Sequence, residues 1–256
     1  MNCVFEITPQ ELAVLVVLLA GHVFGDFLFQ SQRVADAKEK SGAVMLAHGG
    51  LVLVAHLAVL APVWTWRAAG LMTGLSVLHT AVDAVRARVR GGASLQAFAI
   101  DQTAHVALVV LAWLWLMSGD GWLGEGMTEG WFRWYARVLA VASAYVFNGK
   151  GGTAIVRKTL SRYPRISGRL ESDGLDEYEM GRVIGTLERL LVLTLILFWQ
   201  WAAIGLVIAA KSIARFPELR DRRHKEFTEY YLIGTLTSIL VAVGSAIMLK
   251  GVLSCF

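Results

Sequence analysis

Apolar residues run along this chain in stretches of about twenty, separated by short polar or glycine-rich connections. The stretches fall at roughly 11–30, 43–66, 69–86, 97–117, 133–148, 185–210 and 229–253. A helix rises about 1.5 Å per residue, so a run of ~20 apolar residues spans the ~30 Å hydrocarbon core of a bilayer. The fifth is the weakest, because Arg133 and Arg137 stand in its first turns. The pattern predicts an all-α, polytopic transmembrane helical bundle with six to seven membrane segments. It divides into a four-helix half, residues 1–118, and a C-terminal half, residues 119–256, with basic loops.

Composition supports this class. Hydrophobic residues make up 56% of the chain and charged residues 17%, whereas soluble domains carry about a quarter charged residues. The N-terminal stretch has Glu6 and Glu11 in place of a basic n-region, so no cleavable signal peptide is expected. Cys3 and Cys255 sit at opposite ends without metal or redox spacing. The net charge of +4 reads as loop charge that sets orientation, with no specific nucleic-acid signal.

The loop charges then give a topology. Arg33, Lys38 and Lys40 follow the first segment, Arg86, Arg88 and Arg90 the third, and Lys150 to Arg169 the fifth. The connection "SGDGWLGEGMTEGW" has neither Lys nor Arg. The N-terminus is therefore expected outside and the basic loops in the cytoplasm of a bacterial inner membrane. "KSIARFPELRDRRHKEF" (211–227) is also basic, although one more crossing would place it outside. Either segment 185–210 is re-entrant or broken around "FWQWAAIG", or 211–227 lies in the membrane interface.

Polar residues inside the apolar runs carry the candidate chemistry. "GHVFGDFLFQ", "LHTAVDAVRAR" and "IDQTAHVAL" each space a His and an Asp four apart: His22/Asp26, His79/Asp83 and Asp101/His105. The order reverses in the segment that runs the other way, so all three place Asp nearer the cytoplasm and His one turn deeper. His48 enters the same zone from the start of the second segment. Ionisable groups in a membrane face the bundle interior and pair. Imidazole and carboxylate on one helix face are the ligand types of Zn, Mn or Fe sites, and six such groups are enough for two ions. His22, Asp26, His79, Asp83, Asp101 and His105 are the candidate ligands, and His48 is a ligand or general base. The same groups could staple helices by hydrogen bonds, or relay protons in an ion-coupled transporter. The outer halves of these segments offer no continuing polar path. His56 reads as helix packing and His224 as a solvated loop residue.

In the second half, Gly181 and Gly185 have the spacing of close helix packing. Glu188 and Arg189 stand just inside an apolar run, as candidates for substrate handling with Arg189 an anion clamp. Lys211, Arg215 and Glu229 take interfacial positions, where long basic side chains snorkel. "NGKGGTAIV" (148–156) lacks Walker spacing and reads as a glycine turn leaving a helix.

The ordered series "HVFGDFLFQ", "HGGLVLVAH", "HTAVD", "DQTAH", "GRVIGTLERLL", "AAKSIARF" and "EYYLIGTLTS" resembles the bacterial integral-membrane family catalogued as domain of unknown function 3307. The resemblance runs over nearly the whole chain, with Arg86 where that pattern has a lysine. It implies a membrane fold and assigns no activity. The function expected from the residues is a metal-dependent hydrolase of a lipid or phosphate ester, with membrane lipids and an anionic substrate as partners. A non-enzymatic signalling, defence or scaffold protein is the alternative of another class. Reporter enzymes fused after Lys40, Gly92 and Arg169 should report cytoplasm, and one at Gly126 the outside. A cytoplasmic signal at Gly126 would dissolve the common depth of the three His/Asp pairs.

Overall fold

The computed structural model describes residues 7–30, 34, 37–38, 41–88, 94–118, 128–162, 175–214 and 225–256. Every regular element among them is helical. The helices are α1 (Pro9–Val23, continued as a wider π-turn over Phe24–Leu28), α2 (Gly42–Leu60), α3 (Trp66–Arg88) and α4 (Leu95–Met117). Then come α5 (Glu129–Val146, continued as a second π-turn over Phe147–Gly151), α6 (Gly152–Leu160), α7 (Leu175–Leu197), α8 (Trp201–Ala214) and α9 (Lys225–Ser254). They form two compact units, Met1–Val146 with Val252–Phe256, and Phe147–Gly251.

Helix starts are capped by local polar residues. Thr8 and Glu11 form a capping box on α1, with Pro9 in the first turn. Ser94 caps α4 by accepting a bond from the Ala97 amide at 3.1 Å. Such caps satisfy amides that a helix end leaves without partners, which matters most where water is scarce.

In the first unit α1 is the axle. Some 61% of its most apolar stretch is buried, against 39%, 33% and 28% for α2, α3 and α4. Val14, Val17 and Leu18 of α1 pack with Met72 and Leu75 of α3, Val109 and Trp113 of α4, and Phe132 and Ala136 of α5. Two side-chain bonds lock the helices at one end: Trp113 Nε1 donates to the Glu11 carbonyl at 2.8 Å, and Tyr135 Oη to the Val59 carbonyl at 2.9 Å. Outward residues such as Leu46, Val77 and Leu111 are exposed, the surface that lipid would cover.

Among the described residues, five helical stretches are long and apolar enough to cross a membrane: Pro9–Leu28, Gly42–Val63, Trp66–Arg88, Leu95–Met117 and Thr228–Ser254. The expected segments at 133–148 and 185–210 are not among them. Glu129, Arg133 and Arg137 dilute α5, and Arg182, Glu188 and Arg189 dilute α7. The run 185–210 is also divided, since α7 ends at Leu197 and α8 begins at Trp201. At the break Trp199 takes a φ of 60°, and the Lys250 ammonium lies 2.8 Å from the centre of its ring.

Two local expectations are corrected. Residues 148–156 are helical throughout, from the π-turn into α6, so "NGKGGTAIV" is no turn. Among the described residues, nothing lies near the position of an added Cβ on Gly181, and only Arg189 Nη1, at 3.6 Å, near one on Gly185, so this pair packs closely on none of the described helices. Gly21 and Gly25 do so instead. A Cβ on Gly21 would fall 2.6 Å from His56 Cδ2, and one on Gly25 would fall 3.0 Å from Val52 Cγ2. Arg215 and His224 lie outside the described residues.

These contacts give a direct test in the full-length protein in detergent. Gly21→Ala should lower the melting temperature, since overpacking a tight contact costs about 1–3 kcal/mol. Gly50→Ala, with open space around it, should be neutral or stabilising by up to ~1 kcal/mol. Equal effects would remove the close α1–α2 approach from the account.

Candidate metal centre

Four helices deliver one buried polar cluster. His22 and Asp26 come from α1, His48 from α2, His79 and Asp83 from α3, and Asp101 and His105 from α4, all between 1% and 8% exposed. Asp26 sits within the π-turn, where the Phe29 amide bonds back to the Phe24 carbonyl at 3.0 Å. Such a turn holds an extra residue and re-aims the side chains within it, a device common at functional sites.

The centre of the cluster has the dimensions of a coordination site. Asp26 Oδ1 lies 3.1 Å from His79 Nε2 and 3.4 Å from His48 Nε2. The two imidazole nitrogens are 3.4 Å apart. Asp83 Oδ2 makes a second triangle on the same His48–His79 edge, at 3.5 and 3.6 Å. Zinc holds N and O ligands at about 2.0–2.2 Å, which makes the edge of a tetrahedral site roughly 3.3–3.5 Å. Both triangles match a face of that tetrahedron. Asp26 Oδ1 is buried and accepts no well-aligned hydrogen bond, although two imidazole edges converge on it.

The two carboxylates beside the His48–His79 edge differ in their charge partners. Lys38 donates to both oxygens of Asp83, at 2.9 and 2.8 Å, and is itself buried. Among the described residues, Asp26 has only histidines as ionic partners. Its other oxygen accepts from Gln102 Nε2 at 3.2 Å. An anion taken out of water requires compensation. Asp83 has a cation to balance it, whereas Asp26 has imidazole edges.

The remaining candidates form a second layer. His22 Nδ1 stands 3.9 Å from Asp26 Oδ2. The His22 and His105 rings stack with centroids 5.6 Å apart, and His105 lies 3.9 Å from the His79 ring. Both nitrogens of His105 face main-chain carbonyls, Nδ1 that of Asp101 at 2.9 Å and Nε2 that of His79 at 3.4 Å. Asp101 faces Arg86 at 3.5 Å and Gln102 at 3.4 Å. Ligand atoms of His22, Asp26 and His79, of His48, His79 and Asp83, and of Asp83, Asp101 and His105 lie within 4.8 Å of one another in each trio. His56 is buried, its Nδ1 donating to the Val52 carbonyl at 2.9 Å, and it serves as the surface that Gly21 packs against.

Glu188 and Arg189 belong to the other unit. Glu188 pairs with Lys211, and Arg189 is held by main-chain and hydroxyl oxygens of its own unit. Lys38 and Gln102 escaped the sequence reading. Three acidic residues within apolar helices require cations, and counting charges could have directed attention to Lys38. Gln102 gave no separate signal.

A double-mutant cycle should detect the Lys38–Asp83 pair. Lys38→Met alone should lower stability by about 3–5 kcal/mol, as for other broken buried pairs. Adding Asp83→Asn should restore most of the loss. Additive losses in thermal melts would show that the two groups do not interact.

Neither a curated protein nor a solved structure matches the chain. The family match is confined to the first half, so the motifs from "GRVIGTLERLL" onward lie outside it although the resemblance was read across nearly the whole chain. Every cluster residue falls inside the matched stretch: residues 14–123 match the model of the family described as "Protein of unknown function (DUF3307)".

Proposed function

We propose that the first unit is a membrane-embedded metal centre that hydrolyses a lipid or phosphate ester at the cytoplasmic face of the bacterial inner membrane. The observation that carries it is the pair of ligand-sized triangles on the His48–His79 edge. Asp26, His48 and His79 are the ligand trio, a carboxylate with two imidazoles suited to Zn, Mn or Fe. A divalent ion held by these three side chains would lower the pKa of a bound water and so supply a nucleophile near neutral pH.

Asp83, on the same His48–His79 edge at 3.5 and 3.6 Å, would act as the base. Its bond to Lys38 holds the carboxylate in place and offsets its charge, so it need not be consumed as a ligand. His22 beside Asp26 and His105 against His79 would orient the trio, as outer groups do at metal sites, and Asp101 reaches it through Gln102. Burial among apolar helices excludes bulk water and favours a substrate that arrives from the lipid side.

A stapled polar network is the second reading, favoured by the Lys38–Asp83 and Arg86–Asp101 contacts. In it the groups only pair, and the cluster needs no ion.

Elemental analysis of mildly purified protein separates the two. The metal centre predicts about one transition-metal ion per chain, lost in Asp26→Asn, His48→Ala and His79→Ala. Asp83→Asn should retain the ion, yet lose more than about tenfold of any hydrolysis of a chromogenic phosphodiester in mixed micelles. Added Zn, Mn or Fe should raise the melting temperature of the wild type and not of the trio variants. Wild type without metal and without stabilisation by any of the three would leave the stapled network.

A further inference from the structure

Where α7 gives way to α8, the second unit presents a run of outward aromatic side chains. Phe198 and Trp199 are each 70% exposed and Trp201 is 47% exposed. The turn is fastened by Lys250 of α9. Its ammonium lies 2.8 Å from the centre of the Trp199 ring, 5.6 Å from that of Trp201 and 3.4 Å from the Ile196 carbonyl. Ile196 belongs to the last turn of α7, the negative end of the helix dipole, where a cation is favoured. Indole rings and long-stemmed lysines are the side chains that settle where hydrocarbon meets lipid headgroups.

The other end of the same helices is charged. Lys211 of α8 pairs with Glu188 of α7, and the Tyr231 hydroxyl of α9 donates to the Lys211 carbonyl at 3.3 Å. Tyr231 and Lys250 are 19 residues apart on α9, about 28 Å at the rise of a helix. That separation is close to the ~30 Å thickness of a hydrocarbon core.

Tryptophan also marks one side of this chain. Of the nine tryptophans, the seven besides Trp199 and Trp201 stand at Trp64, at Trp66 or between Trp113 and Trp134. Those stretches flank the two connections that the loop charges put outside, and none of the nine lies in a basic loop.

We infer that the α7–α8 turn is a lipid anchor, with Phe198, Trp199 and Trp201 seated in the headgroup layer of the outer leaflet and the Lys250 ammonium beside them for its phosphate oxygens. α7 and α8 then form a hairpin that enters and leaves by the cytoplasmic face. The basic run after α8 returns to the side of the other basic loops. This removes the conflict that a single crossing over 185–210 creates. The anchor uses no residue of the metal centre and stands or falls without it.

A single-cysteine chain carrying Cys3→Ser, Cys255→Ser and Gln200→Cys tests both depth and side, because Gln200 is exposed within the turn. Bimane is attached to that cysteine in liposomes of phosphatidylcholine and phosphatidylglycerol. A headgroup nitroxide lipid should quench it about twofold more than a mid-chain nitroxide lipid, as for a probe at the interface. A membrane-impermeant maleimide should label the same cysteine in intact spheroplasts. Stronger mid-chain quenching, equal quenching or no quenching by either lipid each overturns the anchor, the last by putting the turn against protein or in water. Labelling that requires lysis overturns it as well. Should Gln200→Cys fail to fold, Cys255 carries the sidedness test in a Cys3→Ser background, since it is exposed and five residues beyond Lys250. Labelling from outside is expected there, and labelling only after lysis overturns the proposal.

Discussion

Charge compensation in an apolar interior is the constraint from which the rest of the first unit follows. Asp26, Asp83 and Asp101 are buried at helix positions where water cannot screen them. Lys38 on Asp83 and Arg86 beside Asp101 supply two positive charges. Asp26 is left with imidazoles and an amide, so neutral histidines leave the group one negative charge over. A divalent ion at the His48–His79 edge would reverse that sign with ligands already in range. Protonating one histidine would balance it without an ion. The experiment on metal content decides between two physical solutions of the same imbalance.

Both units bring their polar groups together through wider helical turns. The turn at Phe24–Leu28 contains Asp26, and the turn at Phe147–Gly151 contains Asn148, whose carbonyl accepts from Arg189. In a regular helix that carbonyl would be committed to the amide four residues on. A wider turn loosens this pattern and lets a buried side chain take a share of the main-chain acceptors. Gly152 adds the room, because a Cβ there would fall 2.8 Å from Arg189 Nε.

Much of the helical architecture was legible because its signals are long-range in sequence: twenty-residue apolar runs survive small errors of boundary. The His/Asp cluster was legible for a related reason, since four-residue spacing places both groups on one face and reverses with helix direction. Local signals gave less. Gly181 and Gly185 have the same spacing as Gly21 and Gly25, yet only the second pair meets another helix. Spacing records which face a glycine occupies, not what approaches it. Lys38 looked like loop charge because its partner is 45 residues away. The helix through 148–156 ran against its glycines because tertiary contacts of Arg189 outweigh their weak helix propensity. The break at Trp199 fell where aromatic residues crowd, but its left-handed backbone had no signature in an all-L, glycine-free stretch.

The small residues and the polar cluster are parts of one arrangement. Gly21 and Gly25 let α1 approach α2 at His56 and Val52, and Gly49 lets α2 approach α3 at Thr80. Ser76 then donates to the Gly49 carbonyl at 2.6 Å, fixing α2 against α3. His48 precedes Gly49 and is carried by the same contact toward both carboxylates, while the α1–α2 approach brings Asp26 to it. Larger residues at these positions would push the helices apart. A separation of even 1 Å would take the cluster atoms beyond the 3.3–3.5 Å edge that a ~2 Å metal–ligand bond requires. Backbone proximity set by glycine therefore determines whether the His and Asp side chains form a coordination site or a looser set of hydrogen bonds.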